Sequence, residues 1–161
     1  MIIRPSSIGT FCECGAKYYF MAIEKVAVSK PIAFAFGTSV HKALETNYSQ
    51  KVDSETDLPE EQILDVFSDT YDKEITDCEK EDFQEVKEGQ LKDRGTALLT
   101  KYHAEVSPRI MPAIVEERIN IKIKGINDED DEGVTLSGQI DLIDRKYNLI
   151  DTKRQARPPR A

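Results

Sequence analysis

Through the first two thirds of the chain, apolar residues recur every three or four positions; in the last third they alternate with polar ones. Ile8, Phe11, Cys12, Gly15, Tyr18 and Tyr19 predict a helix over about residues 8–22, with Ser6 or Ser7 as its cap. Residues 26–36 read as a connection containing Pro31 and an apolar patch, and Val40, Leu44 and Tyr48 mark the buried face of a helix over 37–50. Asp57-Leu58-Pro59-Glu60 reads as a capping box opening a helix to about residue 76. Its stripe Ile63, Phe67, Tyr71, Ile75 should be core. A further helix over 85–106 shows Leu91, Leu98, Leu99 and Tyr102, weakened by Gly89 and Gly95. Pro108 and Pro112 lead into a strand over 113–124, where Val115, Glu117, Ile119, Ile121 and Ile123 share one face. Two more β-rich runs, 134–143 and 147–153, flank Asp144-Arg145-Lys146, a hairpin turn. The pattern predicts one α/β (α+β) domain, mainly helical over 1–107 and strand-rich over 108–161. Its N-terminal helices should pack on a small mixed, mostly antiparallel sheet.

At 161 residues the chain can bury a sizeable core, and 39% hydrophobic with 32% charged residues suits a soluble globular protein. No apolar run approaches the roughly 20 residues of a membrane span. The N-terminus lacks the apolar stretch of a signal peptide, and three cysteines make no disulfide framework, so the expected setting is cytoplasmic. The net charge of −8 is unevenly spread: residues 53–85 hold 14 acidic residues and two lysines, a local −12 that leaves +4 for the rest. From Arg145 to Arg160 six basic residues face one acid, Asp151.

That basic end also carries candidate chemistry. A hairpin through residues 134–153 would bring Asp141, Asp151 and Lys153 to one edge of a sheet. Two carboxylates that hold a hard divalent cation, beside a lysine that positions the attacking water, suit metal-dependent phosphodiester hydrolysis. Glu117 is a second candidate acid, because a carboxylate on an otherwise apolar strand face is costly without a purpose. His41 and Glu45 lie one helical turn apart upstream.

Gly138-Gln139-Ile140-Asp141 followed by Asp151-Thr152-Lys153, with Gly37-x-x-x-His41 upstream and Ser7, Phe11, Cys14, Lys17 and Tyr18 near the N-terminus, resembles the PD-(D/E)XK nucleases. The match is to their RecB-type exonuclease branch, which includes CRISPR adaptation nucleases and phage recombination exonucleases. The resemblance implies a restriction-endonuclease-like core and a metal-dependent deoxyribonuclease, an exonuclease acting on linear DNA ends in recombination, repair or phage DNA processing. It implies that His41, Asp141, Asp151 and the Thr152 carbonyl bind Mg²⁺ or Mn²⁺, that Lys153 positions water, and that Glu117 is an auxiliary acid. Arg154, Arg157 and Arg160 would contact DNA phosphates. Some relatives hold an iron–sulfur cluster through one N-terminal and three C-terminal cysteines; with no cysteine after Cys78, none is expected here. Relatives continue into a helix bearing Q-x-x-x-Y that this sequence lacks, so the domain reads as shortened at its C-terminus. That departure supports an alternative, a non-catalytic DNA-binding or assembly module on the same fold. A helicase or recombination partner, and pairing of an incomplete sheet edge into a homo-oligomer, both stay open. No membrane partner is expected.

Overall fold

The computed structural model describes residues 2–26, 30–78, 88–124 and 133–152. The elements, in order, are β1 (Ile2–Ile3), α1 (Pro5–Glu13), α2 (Gly15–Tyr18) with a π-helical turn (Tyr19–Ile23), α3 (Ile32–Ser54), α4 (Glu60–Ile75) and α5 (Glu88–Glu105). A 3₁₀ turn (Ser107–Arg109) then leads to β2 (Pro112–Ile123), β3 (Val134–Asp144) and β4 (Leu149–Ile150). The fold is α+β, with a mixed four-stranded open sheet of strand order β1-β3-β2 and β4 paired to β3. Among the described residues no helix is long and apolar enough to cross a membrane.

The chain forms two compact units. The first comprises Met1–Val28 and Glu117–Ile140. Here β1 runs parallel to β3, with Ile2 opposite Thr135 and Ile3 opposite Leu136. The expected single N-terminal helix is broken. Pro5 occupies its first turn, where its missing N–H costs nothing, so Arg4 rather than a serine is the N-cap. Cys14 is extended (φ −162°, ψ 110°) and splits α1 from α2.

The second unit comprises Ser29–Glu116 and Asp141–Ala161 and holds the main core. The apolar pentapeptide 32–36 is helical, not a connection: Pro31 N-caps α3, which buries Ile32, Ala35, Phe36, Val40, Ala43, Leu44 and Tyr48. The predicted α4 stripe is the centre of the core, with Phe67 and Tyr71 fully buried and their rings stacked 5.8 Å apart. Each such side chain contributes about 1.5–3 kcal/mol by leaving water. β4 pairs antiparallel with β3, Leu142 opposite Ile150, and Leu142 enters the core.

The expected capping box at α4 does not form. Pro59 is the N-cap and no side chain caps the helix. Asp57 instead accepts from Lys51 Nζ (2.7 Å), Asn47 Nδ2 (2.8 Å) and Ser107 Oγ (2.5 Å). Lys51, only 2% exposed, also donates to the Ser107 carbonyl at 2.8 Å, and Asn47 Oδ1 accepts the Leu58 N–H. A tertiary network has taken the carboxylate that local capping would have used, because a buried ammonium needs a partner more than a helix end open to water does. Glu60, the other end of the expected box, accepts from Thr100 on α5.

Candidate metal centre

Within the second unit, three elements converge on a small group of ligand atoms. His41 comes from the middle of α3, Glu116 from β2 and Asp141 from β3; their nitrogen and carboxylate atoms all lie within 4.8 Å of one another. His41 Nδ1 is 3.7 Å from Asp141 Oδ2. All three side chains are half-buried, and a shallow pocket lined by them, Glu45, Tyr48 and Thr152 gives access.

The local sequence explains each placement. On α3 the core face is Val40, Ala43, Leu44 and Tyr48, which sets His41 at the edge of the buried stripe, 40% exposed. Gly37 lies one turn before it, where an added Cβ would meet nothing within 4 Å, so the approach to the imidazole is open. On β3, Leu142 takes the core side and strand alternation sends Asp141 the other way. The Thr152 N–H donates to Asp141 Oδ2 at 3.0 Å and fixes the carboxylate while leaving its other lone pairs available.

Glu116 is the residue that sequence reasoning missed. Alternation from Val115 singled out Glu117, but Glu116 has φ +52°, a left-handed conformation unusual for a non-glycine residue in a strand. The break in the extended backbone means that facing cannot be counted through this point. Glu116 is half-buried in the ligand group and Glu117 is exposed and outside it. No sequence signal marked the break. Glutamate at a strained position is, once seen, a pointer to function.

The other expected residues fall into place as follows. Asp151, just beyond β4, is exposed and lines a cleft of about 810 Å³ with His41 and Thr152, but lies outside the three-residue group. Glu45 Oε1 accepts from Lys42 Nζ at 2.8 Å, which commits it to an ion pair. Lys153, Arg154, Arg157 and Arg160 lie outside the described residues. Cys12 and Cys14 are exposed in the first unit, and Cys78 is buried in the second. His103 bonds the Leu58 carbonyl through Nε2 at 2.9 Å and so holds the end of α5 to the loop before α4.

The donor set suits a divalent ion. Two carboxylates and one imidazole offer oxygen and nitrogen donors that a divalent metal ion can take. At metal–ligand distances of about 2.0–2.4 Å, donors on opposite sides of one ion stand roughly 4–4.8 Å apart, the spread found here. Comparison with the curated proteins and with the solved structures gives no significant match. The sequence does match the family model of the PD-(D/E)XK nuclease superfamily over residues 3–161, almost its whole length, and this chain with its histidine–glutamate–aspartate group belongs to that superfamily.

Proposed function

We propose that the protein is an exonuclease of the RecB type that hydrolyses phosphodiester bonds at the ends of linear DNA, in recombination, repair or phage DNA processing. Superfamily membership makes it a metal-dependent nuclease with DNA as the implied substrate. The single observation that carries the site assignment is the convergence of His41, Glu116 and Asp141 within 4.8 Å.

In this reading the three side chains hold Mg²⁺ or Mn²⁺, with Asp151 and the Thr152 carbonyl at its margin. The bound ion would polarise a phosphoryl oxygen and acidify water. The chain's own residues do the rest. The Thr152 amide orients Asp141, the His41 ring offers a nitrogen donor, and the left-handed backbone at Glu116 turns that carboxylate inward. Lys153, next in sequence to Thr152, supplies the ammonium that positions water and offsets charge on the scissile phosphate. Arg154, Arg157 and Arg160 add sequence-independent phosphate contacts.

The test is Mn²⁺-dependent degradation of end-labelled linear DNA beside a closed circle. Asp141→Ala, Glu116→Gln and Lys153→Ala should each lose 10²-fold or more, as expected when a metal ligand or a charge-stabilising group is removed, whereas Glu117→Gln should stay near the parent rate. Cutting of both substrates would make the enzyme an endonuclease. Absence of both cleavage and Mn²⁺ binding would overturn the reading and leave a non-catalytic DNA-binding module.

A further inference from the structure

We propose that the first unit carries a second DNA-binding site, a groove that takes a backbone phosphate between Arg4 and Lys25. The proposal rests on DNA as the substrate and assigns that substrate a contact separate from the metal centre.

The groove has a volume of about 710 Å³, and all its walls belong to the N-terminal segment of the unit. Arg4, Lys25, Ser6, Ser7 and Tyr18 give it one guanidinium, one ammonium and three hydroxyls, and among the described residues no carboxylate lines it. That is a surplus of donors in a protein whose net charge is −8. Charge pairing within the segment sharpens the point. Residues 2–26 hold five ionised side chains. Glu13 is paired with Lys17 at 3.6 Å, and Glu24 accepts from the Tyr19 hydroxyl at 2.6 Å. Both acids are thus engaged elsewhere, and Arg4 and Lys25 have no partner among the described residues. Thr10 also lines the groove, but its hydroxyl donates to the Ser6 carbonyl.

The backbone holds Lys25 in this position at a cost. The chain leaves α2 through the π-helical turn, Val26 N–H bonds the Phe20 carbonyl, and Lys25 between them has φ +52°. A left-handed lysine is disfavoured by about 1–2 kcal/mol relative to the right-handed form, so the conformation persists because the turn enforces it. The remaining walls, Ile2, Met21, Ala22 and Ile23, are apolar. Two unpaired cations, hydroxyl donors and an apolar flank, with no acid among the described lining residues, match a phosphodiester with its attached deoxyribose. A bare inorganic anion would use only the donors.

The experiment measures binding of a labelled single-stranded 20-mer to the full chain by fluorescence anisotropy, in EDTA so that the metal centre is silent, across a salt titration. Arg4→Gln and Lys25→Gln should each weaken binding about tenfold at low salt, in line with a lost charge-assisted contact. Each should also reduce the slope of log K against log salt by about 0.7. Arg4→Lys should retain most of the slope, which a fold defect would not, and Lys25→Gln alters an exposed side chain that leaves the fold intact. A parallel assay follows Mn²⁺-dependent hydrolysis of bis(p-nitrophenyl) phosphate, which offers a single diester. The groove variants should keep the parent rate there. If the parent cuts neither this diester nor linear DNA and binds no Mn²⁺, but the binding losses persist, the nuclease reading falls and the groove stands. Unchanged affinity and slope in Arg4→Gln and Lys25→Gln would overturn the groove. So would competition by polyglutamate equal to that by DNA, which would reassign it to an acidic peptide.

Discussion

At the scale of single residues, the chain treats its ionisable groups in two different ways. Asp141 and His41 stand 3.7 Å apart and remain partly open to solvent, as the proposed metal-binding role requires. Lys51 and Asp57 are closed off, 2% and 15% exposed in their side chains, and satisfied by each other and by Ser107 and Asn47. Burial alone would raise the Asp57 pKa, but the hydrogen bonds from Lys51, Ser107 and Asn47 outweigh it and hold the carboxyl below its ordinary value. A carboxyl with a depressed folded pKa stabilises the protein above its unfolded pKa of about 3.9 and loses that contribution as pH falls through the folded value. Asp57→Asn would strand the Lys51 ammonium in the interior. It should therefore lower stability at pH 7 by about 3 kcal/mol, a fall in Tm of roughly 6–12 °C for a chain this long. The gap between parent and variant should close as the pH is taken below 4. Thermal melts of both proteins at pH 7 and pH 3 read this directly, and a constant gap would show that the network does not act through the Asp57 charge.

At the scale of elements, regular periodicity was readable and broken periodicity was not. Ile63, Phe67, Tyr71 and Ile75 keep strict four-residue spacing, and all four are buried. The apolar run 32–36 has no such stripe and follows a proline, so it resembled a connection; in three dimensions Pro31 is the N-cap and the run is the first turn of α3. Gly95 shows the same limit from the other side. In the sequence it only weakens α5, and its replacement by alanine should gain roughly 1 kcal/mol in helix propensity. In the fold, a Cβ at this position would run into the ring of Phe67 on α4, with Cε2 at 2.7 Å and Cε1 at 2.8 Å. That ring is fully buried between Phe36 and Tyr71 and has nowhere to move. Gly95→Ala should therefore destabilise by about 1–3 kcal/mol, the usual cost of overpacking. Chemical denaturation with an unchanged m-value and a lowered midpoint would confirm it; a gain in stability would mean that α5 can slide away from α4.

At the scale of the whole molecule, the candidate metal centre is assembled from elements far apart in sequence, α3, β2 and β3, with the segment after β4 joining it through the Thr152 amide. The sequence singled out His41 and Asp141 as candidates through local patterns, and the fold brings the two together. It did not single out Glu116, because the facing of that residue depends on a backbone break that no neighbouring residue announces. The same assembly would make a bound ion a cross-link: a cation held by all three side chains would be held only by the folded chain. Mass action then sets the size of the effect. At a free Mn²⁺ concentration about one hundred times the dissociation constant, binding adds about 2.7 kcal/mol to stability, which for this chain length raises Tm by roughly 5–11 °C. Asp141→Asn should remove the shift, since it deletes a ligand charge and leaves a side chain able to accept the Thr152 N–H. Glu116→Gln should shrink the shift, while Glu117→Gln should leave it at the parent value. A full shift in Asp141→Asn would place the ion elsewhere. A shift lost in Glu117→Gln but kept in Glu116→Gln would show that β2 presents its other glutamate when the ion is bound. Because the readout is a melting temperature, it tests the ligand assignment whether or not DNA is cut.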